Sequence, residues 1–169
     1  MRIAKFAGLP AHPLLVHIPI VLLPLVAIGA VAMALSRRFR DRAGWIVLGL
    51  AIVAGLSTQL AIGSGKALQD SVDRSSALDR HIAIAESIRP LALLLFLVAL
   101  GIMLLDRRAR SAWPFHGRPA VAAKTSLMTG LAALTVVVAV VTCARLYQIG
   151  DSGAKATWQH TRLVSPRDR

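Results

Sequence analysis

Four apolar runs, at residues 14–35, 45–63, 82–105 and 124–147, constrain this chain more than any other feature. An α-helix rises about 1.5 Å per residue, so about 20 apolar residues cross a hydrocarbon layer roughly 30 Å thick. With 169 residues and 56% of them hydrophobic, the chain has too little polar surface for an ordinary water-soluble domain. In lipid each run must satisfy its own backbone groups, which selects helix. The expected fold class is all-α: a polytopic membrane protein, a four-transmembrane-helix bundle forming one unit over residues 1–169.

The net charge of +12 would suggest nucleic acid on a soluble chain. Here the basic residues lie between apolar runs, without interleaved aromatics or a nucleic-acid module, so no nucleic-acid partner is expected. Arg37, Arg38, Arg40 and Arg42 face one acid, Asp41, in the first connection, and Arg107, Arg108, Arg110, Arg118 and Lys124 face Asp106 in the third. The middle connection, residues 64–80, balances Lys66, Arg74 and Arg80 with Asp70, Asp73 and Asp79. The positive-inside bias then puts the first and third connections in the cytoplasm and both termini outside. A cleaved signal peptide is a competing reading, with a basic start and Ala32-Met33-Ala34 imitating a cleavage site. The apolar region is too long for it and carries histidines and prolines. Cys143, the single cysteine, excludes an intramolecular disulfide and any paired-thiol metal site.

The first span opens GLPAHPLLVHIPIVLLP, with His12 and His17 among Pro10, Pro13, Pro19 and Pro24. Such prolines would break a soluble core helix, whereas membrane neighbours can re-satisfy the freed carbonyls. Histidine there is costly and marks a functional candidate that needs a partner. Ser76, with Asp79 three residues on, reads as the capped start of the third helix, which then carries His81 inward. The chain also echoes itself: the second run ends Ile62-Gly63-Ser64-Gly65-Lys66-Ala67, and the fourth ends Ile149-Gly150-Asp151-Ser152-Gly153-Ala154-Lys155-Ala156. That echo suggests two tandem helical hairpins related by an axis along the membrane normal.

Depth supplies the partner. His12 stands as far before Arg37 as His81 does before Asp106, and His17 as far before Arg37 as Glu86 before Asp106. Spans one and three thus hold His12 level with His81, and His17 level with Glu86. Ser57, Thr58, Gln59 and Arg145 fall in the same outer third. One reading is a structural polar cluster that fixes helix register, with Glu86 paired to Arg89 or Arg145. The other is ligation: neutral imidazoles facing across a helix bundle hold b-type haem or a metal ion. For haem the ligands are His81 with His12 or His17, and Arg89 and Arg145 suit the propionates. For a zinc or copper ion the set is His12, His17, His81 and Glu86. No hydrolase constellation stands out. His116, beside Trp113, reads as an interfacial anchor, His160 as solvated, and Trp45 and Trp158 as belt aromatics. Asp70, Asp73 and Asp79 read as a solvated acidic loop.

The opening His12-Pro13-Leu14-Leu15-Val16-His17-Ile18-Pro19-Ile20, the histidine near the start of the third helix, and the closing Gly150-Asp151-Ser152-Gly153-Ala154-Lys155-Ala156-Thr157-Trp158 resemble a widespread bacterial family of four-helix inner-membrane proteins with no assigned function. The resemblance covers essentially the whole chain. It implies a redox neighbourhood, because related domains can be joined to Rieske iron–sulfur or c-type cytochrome modules. In some relatives the position matching His17 is an acid, which leaves His12 and His81 as the shared pair. No such module is attached in this sequence, so electron transfer would need a separate redox partner protein.

The resulting expectation is a small redox-associated protein of the bacterial inner membrane. It would bind b-type haem, or alternatively a metal ion, near the outer face through His81 and a histidine of the first span. Glu86, Arg89 and Arg145 would surround that site. A cofactor-free accessory subunit is the alternative. A small permease is the third reading, and it would require a homo-oligomer to build a pathway.

Overall fold

The computed structural model describes residues 5–6, 9–69, 72, 74–111 and 119–158. A two-residue antiparallel pairing, β1 (Lys5–Phe6) with β2 (Leu9–Pro10), leads into the first helix. Among the described residues six helices follow: α1 (Ala11–Leu15), α2 (His17–Leu35), α3 (Arg37–Gln69), α4 (Ser76–Ala85), α5 (Ile88–Ser111) and α6 (Pro119–Trp158). They compose four segments long and apolar enough to cross a membrane, Ala11–Leu35, Arg37–Gln69, Ser76–Arg108 and Ser126–Trp158. The all-α membrane fold is therefore as the sequence leads one to expect.

The helices overrun the apolar runs at nearly every boundary. The basic stretch 36–44, expected as a loop, is helical from Arg37 onward, and the turn between α2 and α3 is the single extended residue Ser36. Its hydroxyl accepts from the Phe39 amide at 3.3 Å and so caps α3. Arginine is a good helix former, and its long side chain carries charge away from the axis, so a basic stretch need not be a loop. The third segment begins one residue earlier than expected. Ser75, not Ser76, is the cap, accepting from the Leu78 amide at 3.2 Å, while Asp79 sits in the first turn 4.0 Å from Arg74.

Proline shapes both entry helices in the same way. Pro19 is the third residue of α2 and Pro90 the third of α5, each directly after a break at Val16 or at Glu86-Ser87. In a first turn the missing amide costs nothing, because it would have no intrahelical partner. The proline ring instead obstructs the carbonyl one turn back and interrupts the ladder. Pro24 alone lies in a helix interior.

The packing pairs come in matching sets. α2 packs on α3 and α5 on α6; α3 packs on α5 and α6 on α2; α1 packs on α3 and α4 on α6; α2 and α5 meet each other. Exchanging residues 11–69 with residues 76–158 maps each of these pairs onto its mate, while α1 on α2 has no equally strong counterpart. The pairing pattern is thus that of two repeats that meet at α2 and α5. The core between them is aliphatic and small-residue rich. Leu23, Val26, Ala27, Ala30 and Met33 of α2 and Leu95, Val98, Ala99 and Ile102 of α5 recur at helical spacing and are buried. Exposed Ile18, Val21, Ile28, Ile46, Leu56, Leu93 and Val140 give the outside the apolar surface that lipid requires. On α6, Thr135 and Thr142 are buried and bond back to Leu131 and Val138, both at 2.7 Å, so they add no interhelical tie. Cys143 is free and packs against the aliphatic core.

Candidate functional site

The two ends of the bundle differ in chemistry. At the end where α2 and α5 finish, Arg40 of α3 folds inward and donates to the Met33 carbonyl at 2.7 Å. It also lies 3.4 Å from Asp106 of α5, with side chains only 7% and 10% exposed. Arg110 bridges Asp106 and Asp41, and Arg107 stacks 4.5 Å over the Trp45 ring. These charges answer one another across the two repeats.

At the other end, where α2 and α5 begin, the repeats frame a mainly apolar, partly open cavity of about 570 Å³. His12 and His81 both line it, in keeping with their matched depth. Each imidazole is seated on the return helix of its own repeat. The His12 Nδ1 lies 2.9 Å from the Ala61 carbonyl and 3.3 Å from the Ser64 Oγ. The His81 Nδ1 lies 3.0 Å from the Ser152 Oγ, with the Ile149 backbone alongside.

The hydrogen bonds constrain the tautomers. Ser64 donates its proton to the Ala61 carbonyl at 2.8 Å, and Ser152 donates to the Ile149 carbonyl at 3.0 Å. The Ala61 carbonyl can only accept, whereas each serine hydroxyl has one proton to give, to its own backbone carbonyl or to the ring. In a neutral His12 ring Nδ1 therefore carries the proton and Nε2 is the bare nitrogen; His81 takes the same form when Ser152 donates to Ile149. A protein holds a ligating histidine in this way, with the second nitrogen donating to a carbonyl or hydroxyl.

The residue after each serine is glycine because the ring lies against it. A Cβ on Gly65 would stand 3.0 Å from the His12 Cε1, and one on Gly153 would stand 3.1 Å from the His81 Cε1. The Ser-Gly echo of the two return helices is thus a duplicated imidazole seat. It is visible in the sequence as Ala61-Ile62-Gly63-Ser64-Gly65 and Ile149-Gly150-Asp151-Ser152-Gly153, although nothing there says what sits on it.

The other candidates fare differently. His17 is exposed, its Nδ1 donates back to the Pro13 carbonyl at 2.5 Å, and it does not line the cavity. One turn of helix separates it from His12, and the break at Val16 does not rotate it inward. Glu86 does reach the cavity rim, where it pairs with Lys66 at 2.7 Å rather than with Arg89 or Arg145. Arg89 is partly buried, lies off the lining, and has no hydrogen-bond partner for its Nε among the described residues. Arg145 is exposed and turned to Gln148 at 3.3 Å.

The set His12, His17, His81 and Glu86 is consequently not gathered, and among the described residues no three such side chains are placed to hold a metal ion. Lys66, counted in the sequence only as a loop charge, is a cation in the cavity lining, because α3 continues as helix to Gln69. Thr58 also lines the cavity, its hydroxyl bonded back to Ala54 at 2.7 Å. His116, His160, Asp70 and Asp73 lie outside the described residues.

A family model described as "Predicted membrane protein (DUF2231)" matches residues 8–166. No curated protein and no solved structure matches the chain.

Proposed function

We propose, for a chain that belongs to the DUF2231 family of predicted membrane proteins, a redox-associated role in which His12 and His81 hold one b-type haem between the two repeats. One observation carries this reading: two imidazoles at matching positions of the two repeats line a single cavity, each with its Nδ1 held by the return helix of its own repeat. The residues fit such a group. The cavity lies within the roughly 300–1,000 Å³ of small-molecule sites, its walls are mainly apolar, and the glycines at the seats leave no Cβ to push the rings out of place.

A bound haem would supply a one-electron centre whose potential follows its axial ligands and surroundings. The chain's own contribution is to orient both rings through Ser64, Ala61 and Ser152, and to surround the site with aliphatic side chains that exclude water. Positive-inside reasoning puts the arginine end in the cytoplasm and the histidine end outside, in a bacterial inner membrane, where a separate redox protein would exchange the electron.

The cofactor-free reading has its own support, because each imidazole ties together two helices of the same repeat. The visible spectrum of the detergent-purified protein, as isolated and after adding haemin, separates the two. A paired-imidazole Soret band that His12→Ala and His81→Ala each abolish is the expected outcome. Folded, helical protein that stays colourless with added haemin would overturn the haem reading and leave the histidines as helix ties.

A further inference from the structure

The two repeats differ in the charges they bring to the cavity. Lys66 directly follows the Ser64-Gly65 seat, but Ala154 follows Ser152-Gly153. In the second repeat the lysine comes one residue later, as Lys155, where it pairs with Asp151 at 2.7 Å and does not line the cavity. The same break appears opposite. Glu86 stands five residues after His81 and lines the rim, whereas its mate five residues after His12 is the exposed His17. Among the described lining residues the Lys66–Glu86 pair therefore charges one edge of a mainly apolar pocket, and the second repeat has Ala154 in the position of Lys66.

We infer that the ligand of this cavity is a flat apolar ring carrying carboxylates on one edge only, and that Lys66 receives that edge while Glu86 is its partner in the ligand-free protein. The inference rests on the paired-histidine reading and deepens it. Axial symmetry with a single acidic edge is the shape of a dicarboxylate porphyrin: two equivalent faces for two equivalent imidazoles, and one side that needs a cation. Lys66 is free to change partner. Its side chain is 53% exposed and that of Glu86 49%, and solvent-exposed pairs of this kind hold weakly. An ammonium on a flexible stem can swing from one carboxylate to another without disturbing the helix. Arg89 and Arg145, the cations the sequence suggests for this task, lie off the lining.

The test is a spectrophotometric titration of the full chain in detergent micelles with haemin and, in parallel, with haemin dimethyl ester. It compares the wild type with Lys66→Met and Glu86→Gln, each checked for helicity. Lys66→Met is expected to weaken haemin binding about tenfold, the effect of losing one charge-assisted contact at an exposed rim. Glu86→Gln is expected to tighten it, since it frees Lys66 and removes a carboxylate that repels the incoming acid. A merely structural ion pair would shift both variants in the same direction. The ester, with no free carboxylate, is expected to bind all three proteins alike and more weakly than haemin binds the wild type. Haemin affinities unchanged in both variants, or an ester that titrates like haemin in the wild type, would overturn the inference while the paired-histidine reading stands. Absence of any paired-imidazole spectrum in folded wild-type protein would overturn that reading, and the inference with it.

Discussion

The two ends of the bundle solve opposite problems with polar side chains. At the arginine end, Arg40, Asp106, Arg110 and Asp41 neutralise one another and knit the repeats together. At the histidine end each imidazole is bonded within its own repeat, the Lys66–Glu86 pair that spans the repeats is half exposed, and a cavity is left between them. Charges buried together stabilise only as a set, because removing one leaves its partner desolvated and alone. Neutral imidazoles on hydroxyl and carbonyl seats leave no such orphan, so that end can remain open. The contrast separates the part of the molecule that holds it together from the part available for a ligand.

The largest effect expected from this contrast is at Asp106. Asp106→Ala strands Arg40 in a buried position and should cost about 3–5 kcal/mol, read as a lower midpoint of unfolding in mixed micelles by circular dichroism. His81→Ala, which removes one hydrogen bond, should cost only about 1 kcal/mol in the same assay; equal losses would erase the distinction between the ends.

Next come the seats. Ser152→Ala removes the hydroxyl that orients His81 and should lower haemin affinity by roughly 10–100-fold. Ser64→Ala should do less, because His12 keeps the Ala61 carbonyl. Nitrogen-15 shifts of the imidazoles should report protonated Nδ1 and bare Nε2 in the wild type; the opposite tautomer would contradict the seat geometry.

Gly153→Ala and Gly65→Ala press a methyl against the rings and should each cost about 1–2 kcal/mol, in the range of modest overpacking, with a perturbed haemin spectrum. The smallest effect belongs to His17. His17→Ala, at an exposed position off the cavity, should stay within about 0.5 kcal/mol in stability and leave haemin binding as in the wild type. A large loss there would restore the third histidine to the site.

Some of this arrangement was legible from residue order. The spacing of His12 from Arg37 and of His81 from Asp106 placed both imidazoles at one level, since regular helices convert residue counts into depth. The Gly/Ser/Lys echo foreshadowed the repeat. Rotation about each helix was not legible. His17 and His12 lie in the same entry segment and differ only in the direction they face, which depends on how α1 and α2 settle on their neighbours. The same holds for Arg40, which turns inward while Arg37 and Arg38 do not, and for Lys66, whose place on a helix rather than in a loop depended on α3 running on to Gln69.

Hydrophobic run length and charge placement were enough to specify four membrane-crossing helices, because lipid leaves an apolar segment no other way to satisfy its backbone. Which side chains meet was settled by packing. The Lys66–Glu86 pair joins the two repeats, and each imidazole rests on a serine roughly fifty to seventy residues away in sequence. Contacts at that separation arise from how two helices turn toward each other, and a one-dimensional pattern carries no record of that angle.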